Sequence, residues 1–402
     1  MPAPIHVCIL TTAHATDDMR VYYKMAHAFA SSGMRVSWVG PDISLYGNTP
    51  DDPEIPLSRH LYSRLPGRSR RLMRFRSAYR TVREIENVDV FYCPDPDSAF
   101  VGWWLARRSG GKVIFDLHEH FQVPHTVQRR GRGLRTRFFG RLVQLGISIL
   151  CRRVDLVVGV SDSVLSPFRG TIREALVVRN CAPKRLFSVS SRSRKPGEKP
   201  FTLMHGTGAL GRGTDVVLEA VAAAKHRVRG LRVIVFNAFT EHADGYGEQA
   251  FRKHVDRLGI AEQIDFREPI PMRSIPGVLQ TCDAGLIGYG RRLGVGSLPN
   301  RLFEYMASGL AVIAPSYAVE IKDIIEKEQC GLLVDFEDPE AVAEAIAFLN
   351  ENPDQCQTMG DRARRAFEDR HNWELEVQPL LERVHQGHGN GVQHVPKPSN
   401  PS

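Results

Sequence analysis

The chain has 402 residues, beyond the size at which one hydrophobic core usually stays single, so two domains are expected. Apolar residues at 42% and charged residues at 24% are ordinary globular values and argue against a disordered or fibrous chain. Lys+Arg 53 against Asp+Glu 45 gives a net charge of +8, and the 7 cysteines form no CxxC pair, which argues against a zinc site or disulfide framework and suits reduced thiols in a cytosol.

No opening stretch joins basic residues, an apolar run and a small-residue cleavage site, so no secretory signal is expected. His6–Thr11 reads as a buried strand, followed by a polar loop carrying His14, Asp17 and Arg20. Val21, Met25 and Phe29 then recur at helical spacing until Ser32-Gly33, and Arg35–Val39 supplies a second strand. Short apolar runs follow at Val90–Tyr92, Val113–Phe115 and Leu156–Val160, the βαβ pattern of a parallel sheet covered by helices. Asp95-Pro-Asp97 follows one of these strands and Asp116-Leu-His118-Glu119 ends the next, so their polar groups border the crevice where ligands of such sheets bind.

The positive charge is clustered, with eight arginines from Arg64 to Arg83 and eight from Arg129 to Arg153, several alternating with Leu, Phe and Val. Two readings stand: a solvated helix face, or a surface that lies on anionic lipid with its apolar side dipped in. No nucleic-acid motif accompanies the charge, so nucleic acid is not an expected partner. The longest apolar run, Leu142–Cys151, is interrupted by Gln144 and is too short to span a bilayer. A cytoplasmic protein, at most peripheral on the inner membrane face, is expected.

Ser188–Pro200 is aperiodic and rich in Ser, Lys and Pro, the composition of a linker between residues 1–187 and 201–370. Beyond it strands are expected at Phe201–His205, Leu231–Phe236, Gln263–Phe266, Ala284–Ile287, Ala311–Ala314 and Gly331–Val334. Gly206-Thr-Gly208-Ala-Leu-Gly211 matches GxGxxG between a strand and the helix Thr214–Lys225. The acidic residue that a dinucleotide fingerprint wants is missing, because the next strand ends in Asn237. What remains is phosphate chemistry: Gly206, Gly208 and Gly213 allow close backbone approach, the helix start offers N–H groups, and Arg212 adds a charge. The alternative is a tight turn without a ligand.

In Ser297–Gly309, SLPNRLFEYMASG, a short loop feeds a helix through Pro299. Asn300 and Glu304 share one face, with Leu302, Phe303 and Met306 on the apolar one, and Gly309 suits the helix end. Glu304 can accept both hydroxyl hydrogens of a ribose diol, while the amides of Gly296, Ser297 and Leu298 can hold phosphate or sugar oxygens. A water-facing Glu304 is the alternative. A last helix is expected at Trp373–His385, with a disordered tail from Gly387.

Together, His14–Arg20, Asp89–Ser98, Phe115–Glu119, Val160–Val164, Val177–Asn180, Pro299–Ala314 and Asn372–Glu374 resemble the retaining, family 4 glycosyltransferases. The resemblance implies the α/β GT-B fold, two doubly wound Rossmann-like domains facing a cleft, and a donor nucleotide-diphosphate-sugar as co-substrate with no other cofactor and no metal. It implies an acceptor hydroxyl on a sugar, a lipid-linked or a small molecule, in envelope, polysaccharide or glycolipid synthesis. By position, Glu304 would bind the ribose, Arg212 the phosphate and His118 the donor sugar, with Glu119 and Asp95 beside it and His14, Asp17 and Arg20 on the acceptor side. Gly296 stands where the family carries a first glutamate, Thr207 where many members carry an arginine, and TTAHATDDMR replaces the amino-terminal glycine loop. An epimerase or hydrolase on the same architecture, or a non-catalytic partner subunit, are the rival expectations.

Overall fold

A computed structural model describes residues 3–44, 55–63, 71–118, 134–188, 200–208, 210, 213–237, 247–291 and 295–389. Residues 189–199 of the expected linker, the tail beyond Gly389, Glu119, Arg212 and most of both arginine runs lie outside the described residues or their described side chains, whereas residues 387–389, expected in the disordered tail, continue the last helix.

Two wholly parallel sheets form the core of two lobes. The first contains β1 (His6–Leu10), β2 (Arg35–Pro41), β3 (Leu57–Tyr62), β4 (Val90–Cys93), β5 (Lys112–Leu117), β6 (Leu156–Gly159) and β7 (Ala175–Val177), in the order β3-β2-β1-β4-β5-β6-β7. The second contains β8 (Thr202–Met204), β9 (Arg232–Phe236), β10 (Ile264–Arg267), β11 (Ala284–Leu286), β12 (Ala311–Pro315) and β13 (Gly331–Val334), in the order β10-β9-β8-β11-β12-β13. The central strands are covered on both faces, which is why they read as unbroken apolar runs such as HVCIL in β1. Sequence reading missed β3 and β7. Both are edge strands, paired on one side only, so LSRHLY and ALV need no continuous apolar pattern.

The strand order reverses between β1 and β4 in one sheet and between β8 and β11 in the other. At each reversal the two adjoining loops diverge and leave a crevice at the carboxyl ends of the strands. Every candidate loop identified from sequence leaves one of those ends or follows it.

Three local expectations are corrected. Residues Val21–Ala26 form a π-helical turn before the α-helix His27–Ser31, with Tyr23 donating to the Asp18 carbonyl and Met25 to that of Arg20. The closing helix is split into Trp373–Glu376 and Gln378–Gly389, because Pro379 lacks the N–H that a continuous helix would donate to the Leu375 carbonyl. Pro299 occupies the N-cap of the helix Asn300–Ala307 rather than its first turn.

The chain end ties the lobes together. Trp373 N–H donates to the Ala182 carbonyl at 3.0 Å, its indole donates to the Lys24 carbonyl at 3.2 Å, and Glu374 accepts from the Lys184 amide at 2.9 Å. In the second lobe the helix Pro353–Asp369 crosses the end of Asn300–Ala307 at its Gly360. A Cβ at Gly360 would lie 2.2 Å from the Gly309 carbonyl oxygen. Gly360→Ala is therefore expected to destabilise the protein by about 1–3 kcal/mol through overpacking, read as a lower urea midpoint at unchanged slope.

Candidate functional site

The first-lobe half of the site is built on a buried ion pair. Asp116, next to last in β5, receives Arg20 Nε at 2.6 Å and Nη2 at 2.8 Å, a fork of two parallel bonds. The Tyr92 hydroxyl, from β4, donates to the same carboxylate. Arg20 Nη1 continues to the Val178 carbonyl at 3.2 Å and to Asn180 Oδ1 at 2.7 Å. Burial alone would raise the Asp116 carboxyl, but the Arg20 charge overrides it and holds the group below the usual carboxylate range. Arg20, expected to face an acceptor, is instead wholly enclosed and fixes the loop on which the histidines stand.

His118 follows β5, and its ring centroid lies 4.9 Å from that of His14, which leaves β1. His14 Nδ1 meets Asp18 Oδ2 at 3.1 Å, and His118 Nδ1 lies 3.7 Å from Asp116 Oδ2. Burial lowers the His118 imidazole from its ordinary value, against the pull of Asp116, which leaves a neutral ring able to donate or accept at one nitrogen. Asp18, rather than Asp17, supports the pair. Its carboxyl sits at about 2: burial would raise it, and the hydrogen bond and charge of His14 with the Val21 amide bring it down. Asp17 turns the other way and accepts from Ser44 Oγ at 2.6 Å.

Asp95 is corrected most clearly. It caps the helix Pro96–Ser109, accepting from Ser98 N at 2.9 Å, and also accepts from Thr11 Oγ1, Thr12 N and Thr12 Oγ1. With four donors its oxygens are engaged in holding β1 to β4, and it has a structural task.

The second-lobe half gathers around β8 and β11. Gly206 and Gly213 adopt φ of +85° and +104°, and a Cβ at Gly213 would sit 2.8 Å from the backbone of Gly288, Tyr289 and Gly290. The amides of Gly206 and Gly208 are not held out for phosphate. They donate to the Ile234 and Phe236 carbonyls at 3.4 and 3.2 Å. The anion-attracting element that remains is the start of the helix Thr214–Ala224, with Gly213 as its N-cap.

Sequence reading passed over Arg301, although it lies within the signature segment three residues before Glu304. Its guanidinium donates to the His205 carbonyl and, at 3.1 Å, to the Tyr289 hydroxyl, against the Gly206 turn. It places a permanent positive charge beside the glycine loop. His205 beneath it is pushed down to about 3 by burial and by Arg301, so it stays neutral.

Glu304 is largely enclosed, with 9% exposure left, and the helix Asn300–Ala307 is buried on nearly every side from Leu302 onward. Tyr305 explains part of this, reaching the Met204 carbonyl at 3.1 Å while its ring fills the space above Gly285. Among the described residues the Glu304 carboxylate accepts no hydrogen bond. Burial raises it, and Lys24 and Arg301 pull it back by charge. Gly296 faces the other lobe, its carbonyl accepting from Ser163 Oγ at 3.3 Å; Leu298 is buried, and Ser297 lies between them. Lys24 was also missed, though a lysine inside an apolar helical stripe was the available signal. It donates to Asn300 Oδ1 at 3.1 Å from the first lobe.

Residues 20–175 match the family model of Glycosyltransferase Family 4, and residues 188–366 match that of Glycosyl transferases group 1. Each lobe is thus similar to a glycosyltransferase domain. The D-inositol 3-phosphate glycosyltransferase of Corynebacterium urealyticum is 25% identical over 173 residues, 42% of this chain and 39% of that protein. The protein of the same name from Corynebacterium glutamicum is 28% identical over 155 residues, 38% of this chain and 35% of that one. The match thus spans little more than a third of those relatives. Among solved structures, sucrose-phosphate synthase from Thermosynechococcus elongatus superposes with a TM-score of 0.70 at 15% identity, covering 96% of this chain and 100% of that one. HepE of Anabaena in complex with UDP-glucose does so at 0.72 and 14%, covering 95% and 100%. The fold is the two-lobed GT-B architecture.

Because Asp116 carries a lowered carboxyl, it contributes stability that is complete above about pH 4 and is lost as pH falls through its native value. Asp116→Asn is expected to lower unfolding free energy by about 3–5 kcal/mol, by stranding the Arg20 charge, and to flatten the acid limb of the stability–pH curve measured by denaturant titration.

Proposed function

We propose that the protein transfers a glycosyl group from a nucleotide-diphosphate-sugar to an acceptor hydroxyl, with retention and without a metal. The observation that carries this reading is Glu304: a buried carboxylate at the crevice, beside Arg301, with no hydrogen bond from the described residues. That is the state of an acceptor kept for a ligand's paired hydroxyls, and a ribose diol supplies them. The start of Thr214–Ala224 with Arg301, and Arg212 from outside the described residues, would stabilise the negative charge that grows on the leaving diphosphate. The names of the relatives support glycosyl transfer, and the UDP-glucose held by a structural neighbour supports a nucleotide-hexose donor.

In this reading His118 touches the donor sugar as a neutral imidazole, with His14 packed against it and Glu119 following it. The acceptor attacks the face that the diphosphate leaves, and a leaving phosphate oxygen takes its proton, so no side-chain nucleophile is invoked. Closure of the lobes excludes water and limits hydrolysis. Epimerase or hydrolase chemistry would need side-chain acid and base groups near the sugar, and the engagement of Asp95 by Thr11, Thr12 and Ser98 removes one of them.

A thermal-shift screen of UDP-, GDP- and ADP-sugars is expected to find one donor that stabilises the folded protein by mass action. For that donor, Glu304→Ala is expected to weaken calorimetric affinity about tenfold or more, the loss of charge-assisted hydrogen bonds. Unchanged affinity would sink the site assignment; nucleoside diphosphate released with no acceptor-linked sugar would sink the transfer.

We further propose that the acceptor is reached at an anionic, cytoplasmic membrane face. Leu142, Leu145 and Ile149, spaced along one face of the helix Leu134–Arg153, are 49%, 57% and 50% exposed. On the neighbouring helix Pro96–Ser109, Phe100 and Trp104 are 42% and 45% exposed, and Arg107, Arg108 and Arg153 lie over its tryptophan rings. Apolar side chains framed by arginines match a lipid surface of negative charge. Among the described residues no helix is long and apolar enough to cross a membrane. Sedimentation with anionic liposomes is expected at low salt, weakened by added salt and by the double variant Leu145→Glu/Ile149→Glu. Equal sedimentation with neutral vesicles would refute an electrostatic surface.

A further inference from the structure

Lys24 lies in the π-helical turn of the first lobe, has no exposed surface, and contacts the second lobe. Its Nζ donates to the Asn180 carbonyl at 2.8 Å and to Asn300 Oδ1 at 3.1 Å. It also stands 5.7 Å from the ring centroid of Trp373, whose indole donates to the Lys24 carbonyl. Three segments therefore meet the π turn at this side chain: the stretch leaving β7, the helix bearing Glu304, and the closing helix. Asn180 is gripped twice, by Arg20 at its side chain and by Lys24 at its carbonyl.

The charged and titratable groups facing Lys24 are Glu304, Arg20, Cys181 and Asp18, and Glu304 in turn faces Lys24 and Arg301. Glu304 follows Asn300 by one helical turn, so both lie on the face that Lys24 approaches. Among the described residues Lys24 and Glu304 make no direct hydrogen bond. They act on each other through a buried, weakly screening space, where such an interaction is strong.

We propose that Lys24 is a positioning residue for donor binding: from the first lobe it anchors Asn300 and sets a positive charge opposite Glu304, so that nucleotide binding and the seating of the two lobes are coupled. The part concerning Glu304 rests on its reading as the ribose acceptor; the anchoring of Asn300 does not. Burial opposes both charges, lowering the Lys24 ammonium to about 7 and raising the Glu304 carboxyl, and each is restored in part by the other. Removing the Lys24 charge raises Glu304 further, so binding that needs the carboxylate is lost at a higher pH.

Two measurements test this on the full chain. Amide exchange without ligand reads the anchor: Lys24→Met and Asn300→Ala are each expected to speed exchange in Asn300–Ala307 about tenfold while Thr214–Ala224 keeps its wild-type rate. Asn300→Ala serves as the second variant because it breaks the same contact without altering the first lobe. Unchanged exchange in both variants overturns the anchor. Calorimetry with UDP and GDP in parallel, between about pH 5 and pH 9, reads the field. The midpoint at which affinity falls on acidification is expected to rise by about one pH unit in Lys24→Met and to return in Lys24→Arg. A Lys24→Met curve displaced only in affinity, with the wild-type midpoint, overturns the field. Glu304→Gln with the wild-type curve instead marks failure of the ribose reading, whatever the exchange data show.

Discussion

The bidentate bond between Arg20 and Asp116 is the interaction on which the site depends. It joins the loop after β1 to the end of β5, takes in Tyr92 from β4, and reaches past β7 to Asn180. Of these, β1 and β4 flank the first sheet's reversal of strand order. A guanidinium is suited to the task, because its donors lie in one plane and its charge persists even when enclosed. Two charges buried this deeply must stay paired, so the loop carrying His14 and the strand end carrying His118 are held in one geometry.

From that fixed loop the chain enters the π turn that carries Lys24, and the same rigid body meets the second lobe at Asn300 and Trp373. The arrangement concentrates ionisable groups where water is scarce: Arg20, Lys24, Asp18 and Asp116 on one side, Arg301 and Glu304 on the other. Arg20 and Asp116, and Lys24 and Glu304, oppose each other from different segments, whereas Asp18 is supported by His14 of its own loop. Shifts of pKa at such a junction measure how far folding has replaced solvent with fixed partners, and a ligand that draws on one member changes the balance for the rest.

The glycine loop shows how a motif mixes structural and functional demands. Two of its amides close the turn onto the end of β9, and Gly213 lets the loop pass the backbone of Gly288, Tyr289 and Gly290 that follows β11. The matching pattern therefore reflects the packing of a strand–helix turn first, and among the described residues the helix start and Arg301 are left as attractors of negative charge. The same division appears at Asp95 and Asp116, which look alike as polar residues near strand ends. One is a helix cap with four donors, the other the acceptor of a buried arginine.

The sequence by itself determined the two doubly wound halves, the loops that border their crevices, and the segment Ser297–Gly309 as the firmest signature. Those features rest on local periodicity and turn chemistry, which a chain carries in short windows. It left the edge strands β3 and β7 unread, since one-sided pairing imposes no apolar run. Only the tertiary structure decided which of Asp17 and Asp18 supports His14, that Arg20 is enclosed, that Glu304 is buried, and that Lys24 and Arg301 belong to the site. Apart from the local contact of His14 with Asp18, these outcomes turn on partners distant along the chain, 96 residues between Arg20 and Asp116 and 276 between Lys24 and Asn300. Burial and charge are set by what arrives from elsewhere, and no local pattern records it.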